Sequence, residues 1–178
     1  QTAQFIDEFK FLPKETEFKV KVSGLPKYIA KLSDITDDMM TALQKQTQDE
    51  ITAEFSSSDS TLQNVTYAGC YLLTDKDSDY EDNYLYVVYS ATMTPNDASI
   101  PAVTIYLPVR YTDVQTDGEK LVNIDNGYVS GYSSYDDGSH WYTSSGYFDG
   151  AEMYKEIVTE HVDDYNYEVS EGLTQFGA

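Results

Sequence analysis

The clearest periodic pattern in the chain is an apolar stripe in residues 35–55. Its members are spaced at multiples of four against a polar background; they are Ile35, Met39, Leu43, Ile51 and Phe55. This spacing places the side chains on one face of an amphipathic helix. Thr36 is a suitable N-cap, because two aspartates follow it in the first turn. The pattern predicts a helix from Asp37 to Phe55 whose apolar face packs on a core.

Two segments that flank this helix alternate as half-buried strands do. Residues 16–23 place apolar side chains on one face and lysines on the other. Residues 61–74 place four large side chains on one face, and Gly69 interrupts that face, which indicates a bulge or a bend. The four side chains are those of Val65, Tyr67, Tyr71 and Leu73.

Further strands follow. Residues 84–93 are apolar or aromatic on both faces, which is typical of a central strand. Residues 102–112 alternate, and Pro108 indicates that this strand lies at an edge or carries a bulge. The dipeptide Asp117-Gly118 predicts a hairpin turn before a short strand at 121–125. These four strands, with short connections, favour an antiparallel meander.

The sequence therefore predicts an α+β fold in which the long helix packs on an antiparallel meander of four to six strands. A curled sheet of the cystatin-like or NTF2-like kind is the expected architecture. Asp149 is the predicted N-cap of a second helix near the C-terminus, and residues 165–170 alternate as a final strand. We expect residues 1–32 to form an N-terminal strand and linker segment, and residues 33–178 to form a single domain.

Residues 126–149 differ in composition, because Gly, Ser, Tyr and Asp dominate and the sole Trp lies among them. This mixture is typical of adaptable binding surfaces, since Tyr combines a rigid apolar face with a polar tip. The segment reads as a long loop that presents an aromatic platform for a sugar ring or a peptide. The candidate ligand-binding residues are Tyr132, Tyr135, Trp141, Tyr142 and Tyr147. The alternative is that the loop folds back and its rings form local core.

The charge is spread unevenly. Residues 1–45 hold seven acidic and seven basic side chains, whereas residues 46–178 hold 24 acidic and four basic ones and account for the net charge of −20. A field of this sign repels phosphate backbones and anionic lipid head groups. We therefore expect no nucleic-acid partner.

Cys70 is the only cysteine and lies in an apolar run, so it is expected to be a small buried side chain.

An acidic segment at 75–84 raises the question of calcium. Asp75, Asp77, Asp79 and Asp82 offer carboxylates at short spacing. A calcium loop of the EF-hand type also needs Gly at its sixth position and an acid at its twelfth, and neither frame of this segment provides them. The sequence favours a charge-rich hairpin loop, with weak metal binding through these four carboxylates as the alternative. No cofactor is predicted.

Motifs for catalysis are sparse. His140 follows an acidic turn and has Asp136 and Asp137 as potential partners, which allows a hydrolase-type enzyme as an alternative function. The nearest match to a nucleophile elbow, at 127–131, has Val where the Ser is required. The sequence therefore predicts no catalytic residue beyond that alternative.

Several segments in order carry a family resemblance: "SDITDDMMTALQ", "LQNVTYAGCYLLTDKDSD", "YLYVVYSATM" and "AEMYKEIVTEHVDDYNYEVS". Over roughly residues 33–170 the chain resembles the C-terminal extracytoplasmic domain of membrane-anchored zinc-ribbon proteins of Firmicutes. The resemblance implies a Gram-positive cell surface and no catalytic residues. Membrane association is then expected only through an anchor that this chain does not contain.

The resulting expectation is a non-enzymatic extracellular binding or sensing domain. Its expected ligand is an envelope component, a glycan or a partner protein. A structural spacer of an envelope protein is a further alternative.

Overall fold

The computed structural model describes residues 24–56, 59–77 and 82–177 of the 178-residue chain. The predicted α+β fold is confirmed, with a five-stranded antiparallel sheet between two helical layers. In spatial order its strands are β10 (Tyr165–Val169), β2 (Ser60–Asp75), β3 (Asn83–Pro95), β4 (Val103–Thr112) and β7 (Tyr128–Val129). The helices are α1 (Asp37–Phe55) and α2 (Gly150–Ile157).

Two smaller sheets complete the described fold. One has three strands, β1 (Lys27–Tyr28), β5 (Gln115–Thr116) and β6 (Leu121–Val122). The other is a hairpin of β8 (Tyr132–Asp136) and β9 (Trp141–Ser145). Three 3₁₀ helices occur at Leu32–Asp34, Thr159–His161 and Glu171–Gly177.

Helix α1 begins and ends where its apolar stripe predicts. The Thr36 hydroxyl accepts a hydrogen bond from the backbone N–H of Met39 at 3.3 Å, as expected for an N-cap. The helix buries Met39, Leu43 and Ile51 against one face of the sheet. Thr47 lies in the gap of the stripe, and its buried hydroxyl is 3.0 Å from that of Tyr111 on β4.

Strand β3 is central in the sheet, as its apolar side chains on both faces predict. It pairs with β2 on one side and with β4 on the other. Leu85 and Val87 alternate with Tyr86 and Val88, so that the first pair faces α1 and the second faces α2. Burial of both faces of one strand holds the two helical layers on a common sheet.

The prediction that one face of 61–74 carries all four large residues is wrong. The β2–β3 register shifts once between Gln63 and Thr66 and again between Tyr67 and Gly69. Each bulge adds one residue and reverses the side-chain alternation. Because the second bulge lies between them, Tyr67 packs on the α1 side of the sheet, whereas Tyr71 packs on the α2 side.

Two further strand predictions need correction. The short strand after the Asp117-Gly118 turn does not join the meander, because β6 pairs with β5 in the three-stranded sheet. Residues 126–149 are no loop, since they contain β7, β8 and β9. On the outer side of β4, Tyr106 pairs with Tyr147, and Val109 and Arg110 pair with β7. Pro108 lies between these two pairings, so its missing N–H does not interrupt a continuous ladder of hydrogen bonds.

The predicted second helix, its cap and the last strand are present. The Asp149 carboxylate accepts hydrogen bonds from the N–H groups of Ala151 (2.7 Å) and Glu152 (3.3 Å). Before α1, Ile29 is fully buried in the α1-side core, and Leu32 packs against the same core, whereas Leu25 is 66% exposed. The strand predicted at 16–23 lies outside the described residues.

Candidate functional site

The β8–β9 hairpin is built by an acidic turn. Asp137 Oδ1 accepts hydrogen bonds from the N–H groups of Ser139 (2.9 Å) and His140 (2.8 Å). Gly138 takes a positive φ of 84°, a backbone conformation that suits glycine. These local interactions reverse the chain and bring Trp141 opposite Asp136.

The two faces of the hairpin have different roles. Tyr135 and Tyr142 face inwards, with ring centroids 5.1 Å apart, and both contact the ring of Phe148. Tyr132 and Trp141 face outwards and are 70% and 66% exposed. The inner face therefore fixes the hairpin to the domain, and the outer face leaves two large aromatic rings in solvent.

A groove of about 660 Å³ runs beside β9. All five residues of the strand line it. The opposite wall comes from the end of α1, the start of β2 and the turn between β3 and β4. Its apolar members are Phe55, Pro95 and Ile100, and its acidic members are Glu54, Asp59 and Asp97. The groove thus combines an exposed indole with apolar contacts and carboxylates, a combination suited to holding a ligand.

Two attachments hold β9 in place beside this wall. At the strand end, the Ser145 hydroxyl donates a hydrogen bond to Glu54 Oε1 at 2.6 Å. Just beyond it, Tyr147 and Tyr106 exchange backbone hydrogen bonds of 2.7 and 2.9 Å. The hairpin is thereby fixed to both α1 and the main sheet, which pre-organises the groove.

The structure separates the predicted aromatic residues. Trp141 and Tyr142 line the groove, while Tyr132 lies on the same outer face as Trp141 but outside the groove. Tyr135 belongs to the inner cluster. Tyr147 is only 3% exposed and lies in the α2-side core, where its hydroxyl donates to Glu156 at 2.8 Å. Burial raises the pKa of the Tyr147 hydroxyl.

The other groove residues have no signal in the sequence that connects them to the aromatic segment. Glu54 and Phe55 end a helix, and Pro95 and Ile100 flank a turn that is far from Trp141 in the chain. An acidic helix end and a proline-containing turn are common features of any domain. Only the folded arrangement places them opposite β9.

His140 has an acidic partner in the turn between β8 and β9. Its Nδ1 lies 3.3 Å from Asp137 Oδ2, and within the described part of the chain its ring has no hydrogen bond to a hydroxyl. Asp137 accepts two backbone hydrogen bonds in the turn, which hold the pKa of its carboxyl below the usual value. Asp137 thus contacts the His140 ring through one carboxylate oxygen and the backbone of the turn through the other.

The acidic segment at 75–84 is described in part. Asp75 Oδ1 accepts a hydrogen bond from the Asp77 N–H at 2.6 Å, which closes a local turn at the end of β2. Asp75, Asp77 and Asp82 line a cavity of about 460 Å³ next to β1. Asp79 lies outside the described residues. Across the segments that the structure describes, no three His, Cys, Asp or Glu side chains are arranged to hold a metal ion.

Cys70 is buried as expected, with its Sγ 3.2 Å from the Tyr67 hydroxyl. Burial raises the pKa of its thiol to about 11, so it is protonated at neutral pH.

In the part of the chain described, no helix has the length and apolar composition needed to cross a membrane. No protein-family model, curated protein or solved structure matches this chain.

Proposed function

We propose that this protein is a non-enzymatic extracellular binding domain that holds its ligand in the groove beside β9. The observation that carries the proposal is the position of Trp141. This side chain is 66% exposed, yet it lies at a groove whose opposite wall is apolar and acidic. Large aromatic side chains in such positions are the usual anchors of binding sites, because they contribute apolar contact at low entropic cost.

The construction of the groove supports binding. Its walls are held by the Ser145–Glu54 hydrogen bond and by the backbone bonds between Tyr106 and Tyr147. A ligand therefore meets a surface that needs little reordering, which lowers the entropic cost of association.

The cell-surface location rests on the family resemblance and on the charge. A net charge of −20 disfavours contact with nucleic acids and anionic lipids and favours a solvated position away from them. The ligand classes consistent with this location are a glycan, another envelope component or a partner protein.

Trp141 is the only tryptophan, so its fluorescence reports on the groove alone. We would titrate the protein with a soluble cell-wall polysaccharide, peptidoglycan fragments, and synthetic peptides of positive and of negative charge. At least one of these probes is expected to shift or quench the emission with saturation. Emission that stays unchanged with every probe would contradict the proposal.

Tyr132 offers a matched control. It is as exposed as Trp141 and lies on the same face of the hairpin, but outside the groove. Binding of the active probe, followed by calorimetry, should be lost in Trp141→Ala and retained in Tyr132→Ala. Equal losses in both variants would place the ligand on the outer face of the hairpin rather than in the groove.

A further inference from the structure

The free edge of β9 faces the groove. In the described part of the chain β9 pairs with β8 and with no other strand. Gly146 donates to the Gly131 carbonyl (3.0 Å), and Asp137 donates to the His140 carbonyl (3.2 Å). Hydrogen-bonded and non-hydrogen-bonded residue pairs alternate in antiparallel strands. The two bonds therefore show which pairs of β8 and β9 are hydrogen-bonded and which are not.

The alternation assigns a direction to each backbone group of β9. Trp141, Thr143 and Ser145 belong to the non-hydrogen-bonded pairs, so their N–H and C=O groups point away from β8. None of these groups has a hydrogen-bond partner among the other described residues. The groove is therefore bounded by a row of donors and acceptors with the spacing that another strand needs.

Nothing in β9 protects this edge against pairing. Proteins commonly shield exposed strand edges with lysine, proline or a bulge. The sequence of β9, "WYTSS", contains neither residue type, and its register with β8 is regular over all five pairs. An unprotected edge beside a groove is the arrangement used for binding by strand addition.

The charge of the groove indicates the charge of the polypeptide strand that would bind in it. Glu54, Asp59 and Asp97 lie on the wall opposite β9, and the lining contains no lysine or arginine. Trp141 adds the face of an indole, which attracts cations. A second copy of this chain would bring more negative charge, because the net charge is −20. The complementary ligand carries positive charge.

We infer that the groove binds an extended polypeptide segment that carries lysine or arginine side chains and pairs with β9 as a third strand. The inference rests on the proposed function, because it names the ligand class of the same groove. Backbone hydrogen bonds to β9 supply register, and the basic side chains contact the carboxylates and the Trp141 ring.

The first test compares two labelled peptides by fluorescence anisotropy. One is a six-residue peptide of alternating lysine and valine, and the other has glutamate in place of lysine. The lysine peptide should bind at least about tenfold more tightly, since several ion pairs form at the rim. Its affinity should fall as sodium chloride is added. Equal affinities would overturn the inference.

The second test separates strand pairing from charge attraction. Two versions of the lysine peptide carry N-methyl groups, one on every lysine and one on every valine. A strand presents alternate N–H groups to each side, so one version should keep its affinity and the other should lose about tenfold or more. If both N-methylated versions keep their affinity, or both lose it equally, the peptide does not pair as a strand.

Protein variants then locate the site. Thr143→Pro removes an N–H that points into the groove without removing a bond to β8, and Thr143→Val retains that N–H. Binding of the lysine peptide should weaken at least about tenfold in Thr143→Pro and in Trp141→Ala, and by clearly less in Thr143→Val. It should stay unchanged in Tyr132→Ala, because Tyr132 lies outside the groove. Unchanged binding in Trp141→Ala would place the peptide elsewhere and overturn the inference.

The results distinguish failure of the proposed function from failure of strand pairing. If the polysaccharide or the peptidoglycan fragments move the Trp141 emission and neither peptide does, the proposed function stands and the strand-pairing inference is wrong. If no probe moves the emission, both are wrong.

Discussion

The side chain of Asn83 forms two hydrogen bonds with the backbone of Val114. The Asn83 side-chain carbonyl accepts a hydrogen bond from Val114 N–H at 2.7 Å, and its amide donates to the Val114 carbonyl at 2.8 Å. The same amide donates to the Ile29 carbonyl at 2.9 Å. Asn83 is 1% exposed, so one buried side chain joins the central strand to the segments that form the three-stranded sheet.

Substitution of Asn83 by alanine should therefore be costly. The variant leaves the Val114 N–H and the Ile29 carbonyl without a side-chain partner in a buried position. We expect the free energy of unfolding to fall by about 2–4 kcal/mol, because unpaired buried polar groups lose their solvation. Urea unfolding checks this. Asn166→Ala, at an exposed position of β10, is the matched control and should change the free energy by less than about 0.5 kcal/mol.

Gly69 is required by its surroundings as well as by its backbone. Its φ is +146°, and a Cβ atom there would lie 2.2 Å from Ser170 Oγ and 2.9 Å from Leu173 Cγ. Gly118 also has a positive φ, of +96°, but nothing within 4 Å of its Cβ position. Gly69→Ala should thus destabilise by about 1–3 kcal/mol more than Gly118→Ala, the difference being the cost of overpacking. Equal thermal shifts in the two variants would show that only the backbone matters.

Helix α1 and strand β3 were predictable because their signals are local. The stripe and the Thr36 cap of α1 lie within one segment, and β3 is apolar on both faces. The faces of β2 were not predictable by counting residues. Two bulges, with positive φ at Asn64 and Gly69, each reverse the alternation. Their positions depend on pairing with β3, which a single strand does not encode.

The candidate site was predictable only in part. Trp141 and Tyr142 stand out by composition, but the hairpin that carries them has short strands and many small polar residues, so its alternation is weak. Tyr147 looks the same in the sequence and is buried, because β4 pairs with it at Tyr106. The opposite wall of the groove comes from distant segments. Such a site exists only after the sheet has formed.

The protein should lose stability in alkali. Burial raises the pKa of Cys70 to about 11 and the pKa values of Tyr89 and Tyr111 to about 12. The folded state therefore holds these protons more tightly than the unfolded state, whose groups ionise near pH 9 and 10. Stability should therefore change little between about pH 7 and 9 and should fall between about pH 9 and 12.

Urea midpoints measured from pH 7 to 12 check this dependence. Cys70→Ala should make the curve less steep between about pH 9 and 11, since it removes the group that ionises first in the unfolded state. The tyrosine contribution, which begins near pH 10, should remain. A wild-type midpoint that stays level up to pH 12 would contradict the assignment.

Salt should stabilise the protein. The net charge is −20, with 31 acidic side chains against 11 lysines and arginines, and an ion pair such as Lys155–Glu160 offsets only a small part of it. Screening therefore weakens far more repulsion than attraction. Melting temperatures should rise between low and moderate sodium chloride, by about 2–4 °C for each kcal/mol regained. A flat or falling melting temperature would show that the carboxylates are too well separated to repel one another.

Trp141 and Tyr147 lie in the same aromatic segment of the sequence, but the first is exposed and the second is buried. Trp141 is 66% exposed, so Trp141→Ala should change the free energy of unfolding by no more than about 0.5 kcal/mol. Tyr147 is 3% exposed and packs in the α2-side core, so Tyr147→Ala should cost about 3–5 kcal/mol. Thermal melts of the two variants and the wild-type emission spectrum test both expectations. A strongly blue-shifted emission together with a large fall in the melting temperature of Trp141→Ala would mean that the indole serves the core, and the groove would lose its anchor.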